Sequence, residues 1–150
     1  MDETLRAALD DACGELVGKV VWTARNGVGC RVQLGLGESH YDGTDEISPY
    51  FLWLRGIGWE LSKDGVVLAT DADRRDVMVR GIERLVDVAI TRFEMDLPGA
   101  GFVLGAENGL RLAVLPGDDP DLNEWICFLP GERYFGAECG QLRHRLDSPA

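Results

Sequence analysis

The stretch VVWTARNGVGCRVQLGL, residues 20–36, decides the class of fold. Apolar and polar residues alternate on both sides of Asn26-Gly27, which is the period of a strand with one face in a core and one in water. Asn-Gly favours the type I′ turn, because both central residues of that turn need a positive φ. The stretch therefore predicts an antiparallel hairpin.

The same pattern returns further along the chain, where a second Asn-Gly pair, Asn108-Gly109, separates two apolar runs. Between the two hairpins, residues 51–61 (FLWLRGIGWEL) predict a central strand with a bend or bulge at Gly56 and Gly58. Residues 37–50 show no periodicity and predict a loop. Strands dominate the prediction.

Two helices are expected, at about residues 3–16 and 71–84. Leu5, Leu9 and Leu16 form one apolar stripe of the first helix. Thr70 and Asp73 have the spacing of a capping box at the start of the second. Gly81 is costly inside a helix, and a close helix–sheet crossing would explain it.

The chain is thus predicted to be an α+β protein, with the two helices on a mostly antiparallel sheet. Its 150 residues fit a single domain, residues 1–150, with a frayed tail at 141–150. The two halves share a helix, an Asn-Gly hairpin and a Trp-containing strand, which suggests an imperfect internal duplication. The alternative is that small α+β proteins simply share turn chemistry.

The formal charge of −11 argues against nucleic acid and anionic membranes as partners, since both require clustered Lys and Arg. It is compatible with electrostatic steering of a basic protein. The N-terminus lacks the pattern of a signal peptide, and no apolar run could span a membrane, so a cytoplasmic location is expected.

Neither a cofactor nor a metal site is expected from the sequence. The spacing of the four cysteines matches no zinc pattern, and His40 and His144 do not improve it. Asp71 and Asp73 resemble an Asp-x-Asp site, but helix capping explains them. Cys30 and Cys127 lie on predicted strands without a local base and are expected to be buried, inert thiols.

Acidic residues cluster in two predicted loops. Both are candidate contact surfaces for a basic partner, although a solvated turn, or calcium binding by the second loop, is the alternative. The candidate partner-binding residues are Asp42, Asp45, Glu46, Asp118, Asp119, Asp121 and Glu124.

Four tryptophans could line a ligand pocket or belong to the core. Trp53 and Trp59 lie in an apolar segment, which favours the core for both. Trp22 and Trp125 are the other two. No sequence motif of a hydrolase, a metalloprotease or a phosphate-binding loop is present, so an enzyme is not the favoured class.

Several segments resemble those of a family of small uncharacterised bacterial proteins, a domain of unknown function. The resemblance covers roughly residues 16–135, is carried by strands and turns, and implies no activity and no defined site. The segments are Leu16–Trp22, Gly58–Leu61, Leu110–Val114 and Glu124-Trp125 leading to Pro130-Gly131.

Three functions remain open at this point. The first is a non-enzymatic acidic binding protein, in its sharpest form an immunity-like protein that neutralises a basic toxin. The second is a small-molecule-binding domain with a pocket under residues 51–61. The third is a homo-oligomeric structural module that associates through strand edges.

Overall fold

Two antiparallel sheets and two helices form the described part of the computed structural model, which comprises residues 2–27, 31–38, 40–41, 46–56, 58–96, 101–114 and 123–147. The elements are α1 Glu3–Leu16, β1 Val21–Asn26, β2 Val32–Leu36, β3 His40–Tyr41, β4 Glu46–Ile47, β5 Tyr50–Gly56, β6 Trp59–Lys63, β7 Val66–Thr70, α2 Arg75–Glu83, β8 Ile90–Asp96, β9 Gly101–Ala106, β10 Leu110–Val114, β11 Asn123–Leu129, β12 Arg133–Glu138 and β13 Gln141–Arg145. The fold is mixed α+β and mostly sheet, as predicted.

The larger sheet has the order β1-β2-β5-β11-β12-β13, and the smaller has the order β7-β6-β10-β9-β8. β3 and β4 form a separate short hairpin. Both Asn-Gly hairpins are confirmed as antiparallel pairs, β1 with β2 and β9 with β10. The predicted type I′ turns were wrong, however. Neither Asn26 nor Gly27 has a positive φ and Asn26 still pairs with Val32, while at the second hairpin Gly109 has a positive φ, of 82°, and Asn108 does not.

The core lies between the two sheets. Phe93 and Phe102 from the smaller sheet meet Trp125 and Phe135 from the larger sheet, with ring centroids 4.7–6.2 Å apart across the interface. All four side chains are buried. Edge-to-face pairs such as these add to the stability gained from the buried apolar area.

Each helix covers part of this core. α1 begins after Asp2, whose side chain accepts from Thr4 N at 2.8 Å, and it buries Leu9 and Leu16. Its predicted range is confirmed. α2 begins at Arg75, four residues later than predicted, because the Thr70–Asp73 pair caps the preceding turn: Asp73 Oδ2 accepts from Thr70 N at 2.7 Å.

Gly81 of α2 lies at a close helix–sheet crossing, as the sequence suggested. A Cβ atom there would lie 2.8 Å from Ala69 Cβ and 3.4 Å from Leu61 Cδ2. Such distances leave no room for a methyl group, so the cost of glycine inside the helix is offset by the close approach of α2 to β6 and β7.

Three predictions for the strands were wrong. Residues 51–61 are not one strand, because β5 belongs to the larger sheet and β6 to the smaller, and Gly58 has a φ of 101° between them. The predicted loop 37–50 contains the β3–β4 hairpin. Residues 141–145 of the predicted tail form β13, which pairs with β12 along its whole length.

The two sheets are built by the same rule. Each contains three successive long strands from one half of the chain (β1, β2, β5 or β8, β9, β10) and receives a hairpin from the other half (β11–β12 or β6–β7). α1 packs against β8, and α2 packs against β1. Among the described long strands, β13 alone has no equivalent in the smaller sheet.

Candidate functional site

The outer face of the larger sheet carries large aromatic side chains. Register defines that face: Leu34, Leu52 and Cys127 are successive partners and fully buried, so the neighbouring row points away from the core. That row consists of Thr23, Gly35, Phe51, Phe128, Tyr134 and Arg145. The row beside it consists of Arg25, Gln33, Trp53, Ile126, Gly136 and Arg143.

A cavity of about 440 Å³ opens on this face. Its volume lies in the range of small-molecule sites, which is roughly 300–1,000 Å³. Phe51 and Phe128 form one wall, with ring centroids 6.3 Å apart. The described lining residues are Trp22, Thr23, Arg25, Gln33, Ser48, Phe51 and Phe128, an apolar aromatic surface with a few polar groups.

Trp22 is held in place by two neighbours. Its indole N–H donates to Ser48 Oγ at 2.6 Å, which joins β1 to the segment after β4. Gly35 makes this contact possible, because a Cβ there would lie 2.7 Å from Thr23 Cγ2, 3.0 Å from Trp22 Nε1 and closer still to Ser48 Oγ. The absence of a side chain at Gly35 thus shapes the cavity.

The smaller sheet provides an internal comparison. When the two sheets are aligned strand by strand on their registers, residues of the matched strands have equivalents in the other sheet. The equivalent of Phe51 is Arg111, that of Phe128 is Ser62 and that of Trp53 is Ala113. Gly105 takes the place of Gly35, beside Arg111. Because the same architecture is built there without aromatic side chains, the fold itself does not require them on the outer face of the larger sheet.

Arg55 and Arg25, both exposed on the larger sheet, have different surroundings. Arg55 lies over the Trp53 ring at 5.9 Å and 3.8 Å from the carboxylate of Glu124, so its charge is partly balanced. Arg25 is exposed at the cavity, where it pairs through the backbone with Gln33. No carboxylate among the described residues lies within ion-pair distance of Arg25.

Of the predicted partner-binding residues, the structure gives a side-chain position only for Glu124, which is half-buried on β11 beside Arg55. Glu46 lies in β4, of which the backbone pairing alone is described. Those outside the described residues are Asp42, Asp45, Asp118, Asp119 and Asp121.

The prediction that Trp53 and Trp59 belong to the core is confirmed for Trp59 and wrong for Trp53. Trp59 and Trp125 are core residues, at 2% and 1% exposure. The core prediction for Trp53 was wrong, since it is half-buried on the outer face. In the sequence Phe51 and Trp53 alternate with Leu52 and Leu54, so both faces of β5 are apolar, and that signal would have pointed to a second covered surface.

The two buried thiols, Cys13 and Cys127, are not placed for catalysis. Burial raises the pKa of the Cys13 thiol to about 12 and also raises the pKa of the Cys127 thiol, so both stay protonated at neutral pH. Cys127 is buried on β11 as predicted, whereas Cys30 lies outside the described residues. His144 is exposed on β13.

Among the described residues, no group of three or more His, Cys, Asp or Glu side chains could hold a metal ion. None of the described helices has the length and apolarity needed to cross a bilayer.

No family model matches the chain, and neither the curated proteins nor the solved structures contain a significant match to it. The resemblance to small uncharacterised bacterial proteins therefore stays a prediction. What the fold and the site define is a two-sheet α+β protein with an aromatic cavity on the outside of one sheet.

Proposed function

We propose that this chain is a non-enzymatic binding protein whose ligand, a small molecule with a flat apolar body, occupies the cavity between Trp22, Phe51 and Phe128. The observation that carries this proposal is the difference between the two sheets. The aromatic residues are found on one outer face and have non-aromatic counterparts on the other.

Exposed aromatic area is costly in water, which is why large apolar patches on soluble proteins usually mark interaction sites. Phe128 is 42% exposed although it lies in the middle of the sheet order. A flat ligand between Trp22 and the Phe51–Phe128 wall would remove this surface from water. Thr23, Gln33 and Ser48 supply the hydrogen-bonding groups that orient ligands in such sites.

The experiment is a screen of small aromatic compounds against the ¹⁵N-labelled protein by two-dimensional amide NMR. Binders should shift the amides of the cavity lining. Phe128→Ser, which introduces the residue of the counterpart position, should abolish those shifts while the remaining spectrum stays dispersed. Tyr134→Ala, next to Phe128 in the same row but outside the lining, is the matched control and should bind as the wild type does.

The proposal fails if no compound shifts the lining residues, or if Phe128→Ser binds as well as the wild type. Native mass spectrometry of the protein purified gently from its own host is the complementary measurement. A retained small mass that is lost in Phe128→Ser would support the same site.

A protein partner is the second candidate, in its sharpest form an immunity-like neutralisation of a basic toxin. The formal charge of −11 supports it. Replacing Asp118, Asp119 and Asp121 together by Asn should lower the affinity for a basic partner and make that affinity less dependent on salt concentration. Equal binding by this triple variant would exclude the acidic loop as the contact surface.

Association of identical chains has one specific observation in its favour. β7 is an edge strand of the smaller sheet without a charged residue, and Val66 and Val67 are 64% and 51% exposed. The edge strand β13, in contrast, carries three basic side chains, the usual protection of an edge. If chains associate through β7, Val67→Lys should give a monomer in sedimentation, whereas Val17→Lys, at a valine of 47% exposure, should not.

We also infer that the chain derives from an internal duplication. The hydrogen bonds where the halves meet support this: Gly18 N donates to Ile90 O and Asp87 N donates to Val21 O, both at 2.7 Å. The register shifts agree too, since the β1–β2 pair is irregular after Val21 and the β8–β9 pair after Ile90. Shared turn chemistry alone would not produce matching contacts between the halves.

A further inference from the structure

The one cationic residue among the described lining residues of the cavity, Arg25, stands out against the composition of the chain. Asp and Glu outnumber Lys and Arg by 26 to 15, yet no acidic residue is among the described lining residues. Random placement of charge on this surface would favour carboxylates. Among the described lining residues, the sign of the charge is therefore opposite to that of the whole protein.

The counterpart position has the opposite charge. β1 and β8 can be aligned on the register shift that each contains. In this alignment Glu94 is the equivalent of Arg25, and Arg92 is the equivalent of Thr23. Glu94 accepts from the Arg92 guanidinium at 2.7 Å, so the two charges on the smaller sheet satisfy each other. At the cavity the corresponding pair is a threonine and an arginine, and Arg25 has no carboxylate partner among the described residues.

From these observations we infer that the cavity takes a carboxylate: its ligand is an aromatic acid whose ring lies against Trp22 and Phe128 and whose carboxylate is bound by the guanidinium of Arg25. Aromatic walls alone would also suit a cationic ligand, because ring faces attract positive charge. Arg25 repels a cation and provides the planar donor pair that matches a carboxylate. This inference rests on the proposed function, because it names the ligand class of the same cavity.

The test uses two probes of the same shape, 1-naphthaleneacetate and 1-naphthaleneacetamide, titrated into the ¹⁵N-labelled protein. Both carry the same ring, and the acid alone is charged at neutral pH. We expect the acid to bind roughly tenfold more tightly than the amide, since one charge-assisted hydrogen-bonded pair is of that order. Arg25→Met should remove the difference by weakening the acid and leaving the amide unchanged.

Arg111→Met is the matched control, because Arg111 is exposed on the outer face of the other sheet and does not line the cavity. It should leave both affinities as they are. Equal binding of acid and amide to the wild type would overturn the inference while the proposed function stands. A preference for the acid that survives Arg25→Met would also overturn it.

If neither probe shifts the lining residues, the inference is overturned for this ring. The wider compound screen then decides separately whether the cavity binds any small molecule.

Discussion

Val20 forms an isolated antiparallel bridge with Ala89, and these two residues hold corresponding places in the two halves of the chain. On either side of the bridge, Ile90 N donates to Lys19 O at 2.9 Å and Val21 N donates to Val88 O at 3.0 Å. The contact thus has the arrangement of a local two-fold axis. It lies where β1 and β8 begin, before each strand enters its own sheet.

Because each sheet combines strands from both halves, neither half contains a complete sheet. We predict that residues 1–71 and residues 72–150, expressed separately, are unfolded or aggregated, since each lacks the partner strands of its exposed edges. Expressed together, they should associate and restore the native spectrum. Circular dichroism and amide NMR of the separate and combined fragments measure this, and a folded isolated half would contradict it.

Arg133 and Glu15 join β12 to α1 through two hydrogen bonds of 2.8 and 2.9 Å, and this pairing lowers the pKa of the Glu15 carboxyl below its ordinary value of 4.5. A lowered pKa in the folded state means that the unfolded chain takes up a proton more readily. The stability contributed by Glu15 is therefore complete above about pH 4.5 and is lost as the pH falls through the lower, folded-state pKa.

Glu15→Gln should accordingly cost about 1 kcal/mol of unfolding free energy at pH 7, because the pair is bidentate and partly shielded. The difference from the wild type should shrink as the pH drops below 4.5. Glu94→Gln is the control, since the Arg92–Glu94 pair is solvent-exposed and should contribute little. Urea unfolding at several pH values would show a constant difference if Glu15 played no such part.

Gly35→Ala is expected to disturb the cavity, because a Cβ there meets Trp22, Thr23 and Ser48 at distances that force a shift. We expect a loss of roughly 1–3 kcal/mol, the usual cost of overpacking, and a change in tryptophan fluorescence as the bond between Trp22 and Ser48 breaks. Gly105→Ala is the matched control, since the nearest atom to its Cβ, Arg92 Cβ, is 3.4 Å away. Equal effects of the two substitutions would show that Gly35 has no special role.

The sequence predicted the local elements well and the long-range arrangement poorly, and the reason is physical. The Asn-Gly pairs and the apolar stripe of α1 act within a few residues, so both hairpins and the helix could be inferred from sequence, although the type of turn could not. The pairing of β5 with β11, and of β6 with β10, depends on contacts between distant segments. In residues 51–54 both faces are apolar, so alternation could not show which face points into the core.

The thiols should differ sharply in reactivity. Cys139 is exposed in the turn between β12 and β13, whereas Cys13 and Cys127 are buried. In a Cys30→Ser background, we predict that one thiol reacts rapidly with a disulfide reagent in the native protein and that the other two react only as fast as the protein unfolds. Rapid labelling of three thiols under native conditions would contradict the burial of Cys13 on α1 and of Cys127 on β11.

Gly81→Ala tests whether helix propensity or the close crossing dominates in α2. Propensity alone would stabilise the helix by about 1 kcal/mol, but the new methyl group would lie 2.8 Å from Ala69 Cβ. Overpacking in a buried site costs roughly 1–3 kcal/mol, so we expect a net loss of stability. Combining it with Ala69→Gly should recover part of that loss by removing the opposing methyl group.

Gly14→Ala is the matched control, because Gly14 lies in α1 and a methyl group added there would have no described neighbour within 4 Å. There propensity acts without a steric penalty, so the substitution should raise the free energy of unfolding by roughly 0.5–1 kcal/mol. Chemical unfolding of the two single variants and the double variant measures all three changes. A gain in stability from Gly81→Ala would show that α2 can move away from β7 at little cost, and the helix–sheet crossing would then not be what selects glycine at this position.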